Sequence, residues 1–162
     1  MTRVTSEIRI DASREKVWDV IADLGSVSVW NPVLANSHYT SEAKEGVGAS
    51  RRCDFPGEGY VEERATEWKP GEAFTLDICE GTVPFASAHG GYSLVDDGDG
   101  TLVALTLEYD LKADVPVDPK EVERQNREDL FPLVLAGLKH YVETGQPMPI
   151  PEAGETASYL ES

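Results

Sequence analysis

Hydrophobic and polar residues alternate along residues 3–10, and this period of two predicts a strand. A possible helix cap follows at residues 11–13, and four apolar residues then recur at helical spacing between Val17 and Leu24. This stripe predicts an amphipathic helix. Residues 25–30 predict a second short helix that ends at Asn31, because the residue before a proline is pushed out of the helical region.

From residue 33 to residue 111 the pattern changes to strands separated by turns. The predicted strands cover residues 33–41, 47–55, 60–68, 74–78, 85–95 and 103–111. Turns rich in Gly, Pro and Asp separate most of them, including the acidic segment 96–100. Strands joined by short turns pair with their neighbours in antiparallel fashion, so this region predicts a meander.

The last regular segment is a long helix. Asp118 can cap it, Pro119 suits its first turn, and Glu121 occupies the capping-box position. Its apolar stripe consists of Leu130, Leu133, Val134, Leu138 and Tyr141. Pro132 lacks an N–H group and predicts a kink near residue 128, while Gly145 is a suitable end. Residues 1–145 therefore form one predicted domain, and the acidic, proline-rich residues 146–162 are expected to be a flexible tail.

The order of elements predicts the fold class. A sheet with one apolar face must cover that face, and the long helix is the only large apolar surface available. We therefore expect an α+β fold. In it, a curved antiparallel sheet of about seven strands wraps around the C-terminal helix, and two short helices follow the first strand.

Composition excludes several classes of function. The 162 residues include 14 Lys+Arg and 30 Asp+Glu, and the net charge of -16 argues against nucleic-acid binding. No stretch approaches the ~20 apolar residues that cross a bilayer, so membrane insertion is not expected. Cys53 and Cys79 show neither a disulfide pattern nor metal-ligand spacing, which favours a cytoplasmic location and predicts no metal. No P-loop or dinucleotide motif occurs, so no cofactor is predicted.

Short motifs then identify a family resemblance. They are IDASREKVW at residues 10–18, WNP at 30–32, GVGASRR at 46–52, VEER at 61–64 and GDGT at 98–101. Their order and spacing resemble the SRPBCC, START-like helix-grip superfamily, and in particular its polyketide cyclase/dehydrase-like branch, over about residues 3–145. The resemblance implies a cavity between sheet and helix for lipids, polyketides or other apolar ligands. It implies no single reaction, because this fold hosts binders and enzymes alike.

The resemblance also implies that Arg51 and Glu63 lie on the inner face, and the register of one hairpin tests this. A five-residue loop at residues 56–60 pairs Cys53 with Glu63 and places Arg51 diagonally across from Glu63, about 7–8 Å away on one face. A four-residue loop instead pairs Arg52 with Glu63 and gives an ion pair on the outer face. The first register is favoured, because the second also places Arg51 opposite Arg64, a like charge.

The candidate site follows from these faces. Arg51 and Glu63 are a polar anchor or an acid/base pair if they point inward, and an ordinary surface ion pair if they do not. His89 is a third catalytic candidate. The predicted ligand-binding residues are Trp30, Arg51, Cys53, Phe55, Glu63, Phe74, Leu76, Tyr92, Leu105, Leu107, Tyr109, Leu130, Val134 and Leu138.

Two functions compete at this stage. The first is binding of an apolar small molecule, such as a lipid, a polyketide or an aromatic compound, in the cavity. The alternative is a polyketide cyclase/dehydratase-type enzyme that uses acid/base residues of the same cavity. A chaperone-like or regulatory role is a third possibility. The sequence leaves the ligand, the presence of catalysis, the oligomeric state and the pathway open.

Overall fold

A computed structural model describes residues 1–149, and its seven strands form one antiparallel sheet in the order β1-β7-β6-β5-β4-β3-β2. The strands are β1 (Thr2–Ile10), β2 (Asn36–Tyr39), β3 (Ser50–Asp54), β4 (Tyr60–Lys69), β5 (Ala73–Gly81), β6 (Phe85–Asp97) and β7 (Gly100–Leu111). Strands β2 to β7 pair consecutively, as expected for a meander. The first strand closes the order by pairing with the last, so the predicted sheet is confirmed.

Two short helices follow β1. Helix α1 (Arg14–Ile21) is capped by the Ser13 side chain, which accepts a hydrogen bond from the Lys16 amide. A 3₁₀ turn at Leu24–Ser26 leads into α2 (Val27–Trp30), so the predicted pair of helices is present. Residues 1–149 contain no helix that is both long and apolar enough to span a membrane.

The long C-terminal helix runs from Pro119 to Thr144 in three parts. They are α3 (Pro119–Arg124), a π-helical segment (Gln125–Leu130) and α4 (Phe131–Thr144). Asp118 caps its start as predicted, and Gly145 ends it with a left-handed φ of 76°. The irregularity expected from Pro132 takes the form of the π-helical segment, where the Phe131 amide donates to the Asn126 carbonyl five residues earlier.

The helix packs on the apolar face of the sheet, and the main core lies between them. Fully buried core residues come from β1, β7 and α4, namely Val4, Ile10, Val103, Leu135 and Leu138. The C-terminal half of the helix approaches β1 closely, and the Lys139 ammonium group donates to the Arg9 carbonyl across this contact. The predicted α+β helix-grip architecture is therefore confirmed.

Some predicted boundaries differ. The strand expected at 47–55 begins only at Ser50, because Gly46 and Gly48 have φ values of 82° and 95°, outside the strand region. The strand expected at 33–41 shortens to Asn36–Tyr39. Of the predicted flexible tail, residues 150–162 lie outside the described residues, and its flexibility stays a prediction.

Candidate ligand-binding cavity

A cavity of about 160 Å³ lies between the sheet and the N-terminal part of the long helix. Strands β3 to β7 supply one wall, while the segment after α2 and the loop between β5 and β6 supply others. The helical wall consists of Asn126, Leu130, Phe131 and Val134. An apolar cavity of similar volume holds a benzene-sized molecule, so there is room for at least one aromatic ring.

The β3–β4 hairpin brings the two predicted charged residues together inside this cavity. The register pairs Arg51 directly with Glu63 and Cys53 with Val61. Neither predicted register is correct, because the turn is tighter than expected. The Phe55 amide donates to the Gly59 carbonyl, and the intervening Gly57 has a left-handed φ of 97°.

The inward orientation survives the wrong register for a geometric reason. The favoured register differs from the observed one by two positions, and side chains alternate with a period of two. Arg51 and Glu63 therefore stay on one face. The four-residue alternative differs by one position, and it would have moved Glu63 to the outer face.

Arg51 is held by a side chain and by the backbone. Its Nε lies 3.0 Å from Oε1 of Glu63, and its Nη1 donates to the Leu24 carbonyl at 3.2 Å. The two side chains are only 8% and 19% exposed. Burial opposes the charged form of Arg51, but the Glu63 carboxylate more than offsets it and raises the pKa of the guanidinium above its usual range. Arg51 is therefore a permanently charged, buried group with one counter-ion.

Cys53 and Tyr92 lie beside this ion pair. Burial raises the pKa of the Cys53 thiol to about 12, although the Arg51 charge acts in the opposite direction. Burial likewise raises the pKa of the Tyr92 hydroxyl. Both groups therefore stay protonated at neutral pH. The Cys53 Sγ lies 3.8 Å from Oε1 of Glu63, within the range of a weak S–H hydrogen bond.

The rest of the wall is predominantly apolar. Among the described residues that line the cavity, Arg51 and Glu63 are the only ones with charged side chains. Phe74 and Tyr92 make an edge-on ring contact with centroids 5.6 Å apart. Within residues 1–149, no group of three or more His, Cys, Asp or Glu side chains could hold a metal ion.

Three of the predicted ligand-binding residues are buried but do not line the cavity, namely Trp30, Tyr109 and Leu138. Trp30 packs edge-on behind Tyr92, with ring centroids 6.2 Å apart. Tyr109 packs against the ring of Phe85, and Phe85 rather than Tyr109 lines the cavity. Leu138 lies in the part of α4 that approaches β1, where the core is filled. These three assignments are therefore corrected.

His89 is also corrected as a cavity residue. It alternates with inward-facing Ala88 on β6 and points to the outer face of the sheet, where its Nε2 lies 3.7 Å from Oε2 of Glu108. The period of two decides this orientation, because Tyr92 faces the cavity and lies three positions away. The other predicted residues, from Arg51 and Cys53 through Val134, do line the cavity.

The sequence reasoning missed several wall residues, namely Asn31, Val33, Leu34, Val61, Val83, Phe85, Asn126 and Phe131. Val61 could have been found, since it shares the strand face of Glu63. Val83 lies in a connection, where periodicity carries no information. Asn126 could also have been found, since it lies four residues before Leu130 of the predicted stripe.

Comparison with known proteins now decides the family. The family described as "Polyketide cyclase / dehydrase and lipid transport" matches residues 1–143. The chain belongs to this family. No curated protein matches it.

Solved structures show the same fold at low identity. A START superfamily protein from Mycobacterium smegmatis is 18% identical, with a TM-score of 0.76 over 89% of this chain and 99% of that one. A protein from Thermus thermophilus is 24% identical, with a TM-score of 0.73 and coverage of 89% and 99%. Major latex-like protein 151 from Panax ginseng is 13% identical, with a TM-score of 0.70 and coverage of 86% and 96%. At these identities the likeness establishes the fold alone.

Proposed function

We propose that this protein binds an uncharged, largely apolar small molecule in the cavity between the sheet and the C-terminal helix. The observation that carries the proposal is the charge balance of the wall. The cavity wall is apolar except for a few polar groups. Among the described residues that line it, only Arg51 and Glu63 are charged, and their charges neutralise each other. Apolar pockets with few polar groups are typical small-molecule sites.

The ion pair argues against a charged ligand. A carboxylate placed beside Arg51 would also lie close to Glu63, whose like charge repels it, and a cation would meet the reverse problem. A hydroxyl or carbonyl group avoids this cost and can still bond to the pair. Tyr92 and Cys53 add protonated donors at the same end of the cavity.

The family agrees with this class of ligand. Its description names polyketide cyclisation and lipid transport, and one solved structure with this fold is titled a START superfamily protein. Lipids, polyketides and aromatic compounds thus remain the candidate ligands. A cytoplasmic location and the absence of nucleic-acid partners stay predictions from composition.

Three probes of similar size test the proposal: 2-naphthol, 2-naphthoate and 2-naphthylmethylammonium. We expect the neutral probe to raise the melting temperature and the two ions to raise it less or not at all. A ligand that binds only the folded state adds about 2.7 kcal/mol at a concentration of 100 Kd. Stronger binding of either ion would contradict the proposal, as would the failure of all three to bind.

Matched variants locate the binding. Val134→Phe fills the cavity from the helical wall, and Val29→Phe makes the same change at a site that is 46% exposed and outside the cavity. We expect the 2-naphthol shift to disappear in Val134→Phe and to persist in Val29→Phe. Loss in both variants would indicate a change in folding rather than a blocked site.

An enzymatic function of the cyclase/dehydratase type is the second candidate, and the inward carboxylate of Glu63 favours it. A partly buried carboxylate beside protonated Tyr92 and Cys53 can accept a proton while a neighbour donates one. The test compares products from a poly-β-keto substrate with no protein, wild type and Glu63→Gln. Identical product profiles in all three would exclude the enzyme.

A further inference from the structure

The π-helical segment Gln125–Leu130 changes which residues of the long helix face the cavity. In α4, the inward stripe runs back from Leu138 through Val134 to Phe131. A regular α-helix would continue the cavity-lining stripe four residues before Phe131, at Arg127, and four residues before Leu130, at Asn126. Arg127 would then bring a further charged group to the wall.

The structure shows another outcome. Arg127 and Glu128 are exposed, and Asn126 is fully buried at 0% exposure and lines the cavity. The cause is the wider turn in which the Phe131 amide bonds to the Asn126 carbonyl, five residues back instead of four. The extra residue in this turn rotates the preceding helix. The π-helical segment thus keeps the charge of Arg127 away from the wall, where the neutral amide of Asn126 lies.

Asn126 belongs to the helical wall of the cavity and lies near β7. Its side chain interacts with the Tyr109 hydroxyl on β7. Burial raises the pKa of this hydroxyl, and the interaction with Asn126 offsets part of that rise. Glu63 lies on β4, which is three strands from β7 in the sheet order. At about 4.8 Å per strand, Glu63 on β4 and Tyr109 on β7 are ~14 Å apart along the curved sheet. The ion pair and the Asn126 amide therefore lie near different strands of the sheet, and most of the remaining wall is apolar.

We infer that Asn126 is a specificity-determining residue that bonds to a second polar group of the ligand. This inference rests on the proposed function and narrows it. The ligand class is an elongated neutral molecule with a hydroxyl or carbonyl oxygen at each end. One oxygen meets Arg51 and Glu63, and the other meets the Asn126 carboxamide, which can both donate and accept a hydrogen bond.

A series of probes with none, one or two hydroxyl groups tests the inference. The naphthalene series is naphthalene, 2-naphthol and 2,6-dihydroxynaphthalene, and the biphenyl series adds biphenyl, 4-hydroxybiphenyl and 4,4′-dihydroxybiphenyl as longer probes. Binding is measured by calorimetry. In the framework that binds more tightly, we expect the second hydroxyl to lower Kd roughly 3- to 10-fold, the range of one net hydrogen bond.

Three variants assign this gain. Asn126→Leu keeps a similar size and should abolish the gain from the second hydroxyl, while affinity for the singly hydroxylated probe stays within roughly 3-fold. Tyr109→Phe removes the hydroxyl beside Asn126 without touching the cavity, and it should keep the gain. Leu130→Met alters the shape of the same wall and should affect all probes alike.

Two results would overturn the inference: a gain that persists in Asn126→Leu, or one that Tyr109→Phe abolishes equally, since the latter would make Asn126 merely structural. The side-chain amide resonances of Asn126 in the wild type give a check that needs no variant. They should shift with the doubly hydroxylated probe and not with the parent hydrocarbon. Binding of no probe in either series would instead refute the proposed function itself.

Discussion

Changing Glu63 to glutamine keeps the size of the side chain and removes the charge that neutralises Arg51. The guanidinium cannot escape the consequence by losing its proton, because its pKa is already above the usual range. Its side chain is 8% exposed, so water replaces little of the lost interaction. The Leu24 carbonyl, 3.2 Å from Nη1, would remain as a neutral partner.

The expected cost follows from the geometry. With Nε and Oε1 at 3.0 Å, the charge centres are ~4 Å apart, and an effective dielectric constant near 20 gives an attraction of about 4 kcal/mol. Removing one member of a buried pair typically costs about 3–5 kcal/mol. The glutamine oxygen can keep one hydrogen bond to Arg51. We therefore expect the free energy of unfolding to fall by about 3 kcal/mol.

A surface ion pair of the same length is the matched control. Arg9 and Asp99 are also 3.0 Å apart, but the Asp99 side chain is 94% exposed. We expect Asp99→Asn to change the free energy of unfolding by less than about 1 kcal/mol. Urea unfolding followed by tryptophan fluorescence measures both variants. High salt should weaken the exposed pair more than the buried one.

The double variant Arg51→Met/Glu63→Leu completes the test. It removes both charges, and we expect its stability to recover to that of wild type or above, as apolar replacements of buried pairs often do. Equal losses in Glu63→Gln and Asp99→Asn would refute the reasoning, and so would a double variant as unstable as the single one. Recovery would mean that stability does not require the pair, which strengthens the case that a ligand does.

Three further predictions concern packing and titration. Gly137→Ala should lower the free energy of unfolding by about 1–3 kcal/mol although alanine favours helices, because its Cβ would lie 2.6 Å from the Trp30 carbonyl oxygen. The control Ala136→Gly in the same helix measures the effect of helix propensity, about 1 kcal/mol. If Gly137→Ala stabilised the protein, the predicted steric contact would be wrong. A thiol reagent at pH 8 should modify exposed Cys79 in the native protein and reach buried Cys53 only after unfolding; rapid modification of both would disprove this. The pKa of Cys53 is raised from 9.0 to about 12, so the folded state keeps a proton that the unfolded chain releases between these values. The free energy of unfolding should therefore fall as pH rises from 9 towards 12, and it should fall less steeply in Cys53→Ala; equal slopes would show that Cys53 does not contribute.

Local patterns in the sequence determined most of the fold. The alternation in β1 and β7 and the Asp118 cap of the long helix depend on neighbouring residues, and the structure has these features where the sequence predicts them. The apolar faces of β5 and β7 likewise identified Phe74 and Leu105 as cavity residues. Side-chain periodicity is a local property, so a single sequence reveals it.

The tertiary structure alone decided how these elements meet. The pairing of Arg51 with Glu63 depends on a three-residue turn that Gly57 permits, and a slip of one residue would have separated the pair. Arg127 is exposed because of the π-helical segment, whereas regular helical spacing would have placed its charge at the cavity wall. Strand register and helix rotation depend on how distant segments pack against each other. The hydrophobic periodicity of the sequence is a local property and does not determine them.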